Sequence, residues 1–251
     1  MPCVRGISGE DLHSFSTECF LDVRRLKRHL RFLHGYPLCL QQLLCDGRHL
    51  KDDDPVHTLS DAAELMLVLQ TLVTAEQQRM AGEELVCHAA DVGGLEVARH
   101  LLQAGADKDY CSSYDIACDT HQWENNGRTA LSRAAARGRV EMVRLLLEAG
   151  ADKDVQDQDG MTALMHATHA GHIEIARILV EAGAGKDLVD EEDTTALITA
   201  ASTGHIEIAR LLVDAGANME LQDASGTALM HASWRGHEEI VRLLVDAGTR
   251  L

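Results

Sequence analysis

Residues Thr162–Gly183 read TALMHATHAGHIEIARILVEAG, and the same stretch recurs with small changes along the last two thirds of the chain. Thr129, Thr162 and Thr195 are 33 residues apart, and the glycines closing each copy fall at 150, 183, 216 and 248. A fixed period in this range means a stack of like supersecondary units, each burying its apolar face on its neighbours. Each copy opens with Thr-Ala-Leu, at Thr129, Thr162, Thr195 and Thr227. Threonine suits a helix N-cap, because its hydroxyl can accept from an orphan backbone N–H. A short Ala-rich helix is expected next, then a Gly-His turn, then a second helix with Ile175, Ile178, Leu179 and Ala182 at helical spacing in copy three. A closing glycine provides the left-handed residue that ends a helix. An Asp-rich segment such as Lys153–Gly160 connects the copies and is long enough for a hairpin turn.

The whole chain of 251 residues has room for two ordinary domains, and its 45% hydrophobic content is that of a folded protein. No 18-residue apolar run and no secretory leader pattern occur, so the cytosol or nucleus is the expected location, and the seven cysteines are expected as reduced thiols. The net charge of −17 is uneven: residues 1–75 carry 8 Lys/Arg against 10 Asp/Glu, leaving 15 against 30 for the remainder. A surface of net −15 repels nucleic-acid phosphates and anionic lipid, so neither nucleic acid nor membrane is expected as a partner, and basic protein segments are favoured.

The stretches GHIEIARLLVDAGAN (Gly204–Asn218) and GADKD (Gly105–Asp109, Gly150–Asp154) resemble the ankyrin repeat, signature T-P-L-H-x-A, a β-turn finger followed by two antiparallel helices. The resemblance implies an all-α ankyrin solenoid of about five helix–turn–helix units over residues 82–251: 82–110, 126–158, 159–191, 192–224 and 225–251. Two departures stand out. Alanine replaces the signature proline, and Ser132, Met165, Ile198 and Met230 replace the signature histidine, which removes the hydrogen bond that histidine makes between repeats in the family. A softer array is expected. The first unit opens with Glu84-Leu85-Val86 instead of Thr-Ala-Leu, and 45 residues separate Gly105 from Gly150, so an extra loop is expected at 111–125, with aromatic residues on and beside it (Tyr110, Tyr114, Trp123).

Before the repeats, Val4–Ile7 and Phe15–Phe20 flank Ser8-Gly9-Glu10-Asp11, an expected hairpin. Asp22 opens a helix with apolar Val23, Leu26, Leu30 and Leu33 and a basic face of Arg24, Arg25, Lys27, Arg28 and Arg31. Leu43–Cys45, the Gly47-Arg48 turn and Leu65–Leu69 follow. Together with Gly35-Tyr36-Pro37, Gln41–Leu44, Leu50 and Leu59, this order resembles the ubiquitin-like β-grasp family and implies an α+β domain over residues 1–73, with 74–81 as linker. The family's apolar binding patch would fall on Ile7, Leu44 and Val68; the terminal diglycine is absent, so a built-in module is implied. The pairing of the two domains resembles dinoflagellate and other protist ankyrin proteins.

No catalytic signature, phosphate loop or ligand set with convergent geometry stands out, so neither an enzyme nor a cofactor is expected. His166, His169, His172, His205 and His237 sit at repeat-equivalent places, and Cys111, Cys118 and His121 lack a fourth ligand. Lys153–Gly160 has the aspartates of a calcium loop without its closing glutamate. A monomeric protein-binding scaffold is the leading expectation. The resemblance places its binding surface on finger tips and first-helix ends: Arg128, Arg137, Asp159, Met161, His169, Glu191, Glu192, Thr203 and Trp234, with Asn126, Gln158 and Thr194 beside them. A ubiquitin–proteasome adaptor is the second reading. The third is the regulatory part of a longer enzyme or channel, because no polar capping unit follows Gly248.

Overall fold

Alternation, capping and 33-residue periodicity each act on their own part of the chain, and the computed structural model resolves them as two compact units, Met1–Leu85 with Glu96–Asp107, and Val86–Leu95 with Lys108–Leu251. The structure describes residues 3–5, 11–14, 22–34, 36–37, 40–45, 48–55, 64–69, 74–89, 94–111 and 127–248.

In the first unit, β1 (Cys3–Arg5), β2 (Asp11–Ser14), α1 (Val23–His34), β3 (Gln41–Cys45), β4 (Arg48–His49) and β5 (Glu64–Leu69) follow one another. The sheet order is β2-β1-β5-β3-β4, with β1 parallel to β5 and every other pairing antiparallel. The strand following the first turn comes earlier than expected. Asp11, read as a turn residue, is its first residue and pairs with Arg5, next to a bulge between Val4 and Arg5. Helix α1 is amphipathic as expected: Val23, Leu26 and Leu30 are buried, and Asp22 caps it by accepting the Arg25 N–H at 2.8 Å. Its basic face pairs locally, Arg24 with Asp53 at 3.1 Å and Lys27 with Asp52 at 2.7 Å. That is the behaviour of a solvated helix face.

Residues 74–81, expected as linker, are instead the start of α2 (Ala75–Ala89). The cause is a capping box: the Gln77 N–H donates to Thr74 Oγ1 at 3.2 Å while the Thr74 N–H donates to Gln77 Oε1 at 3.1 Å. Helix α3 (Leu95–Ala104) follows, and its His100 ring meets the Tyr36 ring edge-on with centroids 5.5 Å apart. The first repeat's second helix therefore packs with the N-terminal unit, which the sequence boundary at residue 73 did not anticipate.

The second unit stacks four helix pairs: α4 (Ala130–Ala136) with α5 (Val140–Glu148), α6 (Ala163–His169) with α7 (Ile173–Glu181), α8 (Ala196–Thr203) with α9 (Ile206–Asp214), and α10 (Ala228–Arg235) with α11 (Glu238–Gly248). First helices pack on first helices and second on second along the stack. Thr129, Thr162 and Thr195 each accept the N–H three residues on, at 3.2, 3.4 and 3.2 Å. Leu131, Leu146, Leu164, Ile175, Leu179 and Leu197 are fully buried, each contributing about 1.5–3 kcal/mol relative to exposure. Of the apolar set expected on α7, Ile178 is only half-buried and Ala182 is exposed at the helix end. Between α9 and α10 the finger forms a short hairpin, β6 (Gln222–Asp223) with β7 (Gly226–Thr227).

Candidate functional site

The fingers are built by aspartates that recur every 33 residues. Asp157 Oδ1 accepts the N–H groups of Asp159 and Met161 at 3.1 and 2.9 Å, and Asp190 Oδ1 accepts those of Glu192 and Thr194 at 2.9 and 2.8 Å. Asp223 Oδ1 does the same for Ser225 and Gly226, at 2.7 and 2.9 Å. Short polar side chains that bond the backbone ahead of them fix such turns. A second row ties the finger bases together: Asp109 accepts the Asp152 N–H at 2.7 Å, Asp154 the Gly185 N–H at 2.8 Å, and Asp187 the Asn218 N–H at 2.8 Å.

These bonds take several finger carboxylates out of reach of a partner. The Asp157 side chain is 1% exposed, and Asp154 and Asp187 are spent on the next repeat. The carboxylates that remain at exposed finger positions include Asp152, Asp159, Glu191, Glu192, Asp193 and Glu220. Asp159 and Glu191 belong to adjacent fingers that touch, the Glu191 N–H donating to the Asp159 carbonyl at 3.1 Å.

The signature histidine is replaced, and the residue after it bonds the finger of its own repeat in two cases. His166 Nε2 donates to Asp157 Oδ2 at 2.6 Å, with both side chains buried, and Arg128 of the preceding finger lies 3.5 Å from the same oxygen. In the last repeat His231 Nε2 lies 2.9 Å from Asp223 Oδ2, which also accepts from Thr194 Oγ1 of the preceding finger at 3.4 Å. Burial alone would raise both aspartates, but the histidine hydrogen bond and the backbone N–H groups outweigh it and hold both below their ordinary value. Arg128 and Met161 thereby serve the fold: Arg128 pairs with a buried carboxylate, and the Met161 N–H closes the third finger.

The other histidines are structural in another way. His172, His205 and His237 stack on the glycine of the preceding repeat's Gly-X turn, so that a Cβ added to Gly171 would come within 2.8 Å of the His205 ring.

At the first-helix ends, the positions named from sequence fall in two rows. Arg137 and Thr203 immediately precede the turn glycines Gly138 and Gly204, in a row with Ala170 and Arg235; His169 and Trp234 stand one place earlier, in a row with Ala136 and Ser202. His169 and Thr203 are exposed, although the Thr203 hydroxyl donates to the Thr199 carbonyl at 2.7 Å; Arg137 is half-buried as the C-cap of α4. Trp234 is 67% exposed and meets the His231 ring edge-on at 5.9 Å. Arg235, exposed in the row of Arg137, was missed because the sequence reading mixed the two rows. On the N-terminal sheet, Leu44 is half-buried on β3, facing away from buried Leu43. Backbone alternation puts position 68 of β5, paired with Gln42, on the same sheet face as position 44; Ile7, Asn126 and most of the 111–125 insertion lie outside the described residues.

The finger-and-helix-pair unit defines a repeat protein that presents a surface. The family described as "Ankyrin repeats (3 copies)" matches residues 86–190 and 179–251. This chain belongs to the ankyrin-repeat family. No curated protein matches it. Ankyrin repeats are protein–protein interaction modules, and no helix among the described residues is long and apolar enough to cross a membrane.

Proposed function

We propose that this chain is a non-catalytic interaction scaffold whose client binds across the finger tips and first-helix ends of the array. The observation that carries this reading is Trp234, a large aromatic left 67% exposed on a helix whose Ala228 and Ala232 are buried. Exposed aromatic and arginine side chains are the residues most often found as interface anchors. Trp234, Arg235, His169 and Arg137 line the helix-end side of this surface, while Asp159, Glu191, Glu192 and Asp193 line the finger side. The finger carboxylates favour a client with a basic segment and speed its encounter. Affinity capture with the full chain, followed by the same capture with Trp234→Ala and Arg137→Ala, tests the reading. A client lost with both variants at unchanged helicity supports it; a client indifferent to both overturns it. Asp159, Glu191 and Glu192 changed to the amides should slow association and flatten its dependence on ionic strength.

A second reading, a ubiquitin–proteasome pathway adaptor, is favoured by the sheet order β2-β1-β5-β3-β4 with α1 after β2, which is the arrangement the β-grasp resemblance calls for. Its contact surface would be Leu44 and Val68 together with Ile7. Capture of ubiquitin-receptor proteins by the full chain, abolished by Leu44→Ala with Val68→Ala, supports it; no such capture removes it.

A further inference from the structure

We propose that His231 is a positioning residue: held by Asp223, it sets the ring of Trp234 on the client surface and ties that aromatic anchor to the finger tips. This rests on the reading of Trp234 as a client contact. His231 Nε2 lies 2.9 Å from Asp223 Oδ2 and 3.0 Å from Oδ1, so both carboxylate oxygens hold one imidazole N–H and fix the ring. The same ring meets the Trp234 indole with centroids 5.9 Å apart and planes at 61°, an edge-to-face contact. Both residues stand on α10 at i and i+3, a spacing that makes them neighbours on the helix surface. The carboxylate is itself fixed. Its Oδ1 accepts the Ser225 and Gly226 N–H groups of the last finger at 2.7 and 2.9 Å, and its Oδ2 accepts from Thr194 Oγ1 of the preceding finger at 3.4 Å. Two fingers, the histidine and the indole thus form one chain of contacts.

The other repeats show that this chain of contacts is particular to one unit. The equivalent pairs are Arg133 with Ala136, His166 with His169 and Thr199 with Ser202, so a histidine three places before a tryptophan stands in one repeat of the four. His166 holds Asp157 by the same kind of bond, which there serves the finger with no indole to orient. On α10 the bond gains a second task. An indole that is free to turn about its side-chain torsions must be ordered when a partner binds, and that ordering costs affinity. A ring already packed against a fixed imidazole has lost much of that freedom beforehand. A client that touches the finger tips and the indole together then meets parts whose relative placement is already set.

His231→Gln separates the two tasks, because the glutamine amide can still donate to Asp223 while the ring is gone. Should it fail to fold, His231→Thr takes its place, since Thr199 fills the equivalent position of the preceding repeat. The full chain is labelled with 5-fluorotryptophan, and the signals of its two tryptophans, Trp123 and Trp234, are told apart with Trp234→Phe. The Trp234 resonance should move toward that of free fluorotryptophan in the His231 variant; a role confined to holding the finger would leave it in place. The binding probe is a labelled oligo-arginine peptide, whose guanidinium groups pair with carboxylates and stack on an indole. Its dissociation constant at low salt should rise by about two- to tenfold in the His231 variant, the range that loss of an aromatic pair implies, and by at least as much in Trp234→Ala. An unmoved resonance overturns the proposal and leaves the client surface standing. A moved resonance with unchanged peptide affinity overturns it as well. A peptide that fails to bind, or that binds Trp234→Ala equally well, removes the reading of Trp234 as an anchor for a basic client, and this proposal with it.

Discussion

Thr162–Gly183 and Thr227–Gly248 are nearly the same text, TALMHATHAGHIEIARILVEAG and TALMHASWRGHEEIVRLLVDAG, yet the structure treats them differently. In the first, the Leu-Met pair is sealed beneath α8, the threonine caps its helix, and the His-Asp pair is 5% and 1% exposed. In the second, the Leu-Met pair is open, Thr227 makes no side-chain cap, and the His-Asp pair is 15% and 10% exposed. Local sequence specifies the helix pair in both. What a residue is worth depends on whether another unit lies over it, which is the nearest-neighbour energetics of a stacked repeat.

The largest expected contrast is at the leucines. Leu164→Ala should cost about 2–5 kcal/mol in urea unfolding, since it empties a fully enclosed site, while Leu229→Ala should cost well under half as much. Equal costs would mean that position 229 is covered in solution.

Next come the aspartates. Asp157→Ala strands buried His166 and the neighbouring Arg128 and should cost about 1–3 kcal/mol, with Asp223→Ala costing less because its site is more open. The same pair sets an acid dependence. Both aspartates titrate below 3.8 in the folded chain, so their stabilisation is present above that pH and is lost as pH falls through the depressed folded values. Asp157→Asn should therefore lower stability at neutral pH and reduce its further loss on acidification below pH 3.8. An unchanged acid-unfolding profile would show that the His166 bond does not favour the ionised carboxylate.

The smallest contrast is at the turn glycines. Gly171 and Gly236 have φ of 74° and 76°, so alanine at either costs about 1 kcal/mol of backbone strain. Gly171→Ala must also displace the His205 ring, whereas Gly236→Ala displaces nothing, so the first should be the more destabilising. Identical midpoints for the two variants would show that the histidine ring moves aside freely.

Much of the array could be read directly from the chain. The 33-residue period, the Thr-Ala-Leu caps and the Gly-His turns are local signals, and the helices begin and end where those signals stand. The Thr74-Ala75-Glu76-Gln77 capping box was equally local and was passed over, because the repeat template drew the boundary at residue 82. The roles of the aspartates were hidden for a different reason. Asp154, Asp157 and Asp159 look alike in sequence, yet one reaches the next repeat, one is buried on His166 and one is exposed at a finger tip.

By itself, the sequence determined the repeat unit: its length, its caps and the helix faces that are apolar, because those depend on contacts within a few residues. Only the tertiary structure decided which copies of that unit are buried, which histidines hold an aspartate and which carboxylates remain for a partner. Those depend on groups about one repeat away in the stack, and a repeat written almost identically each time carries no mark of whether its neighbour is there.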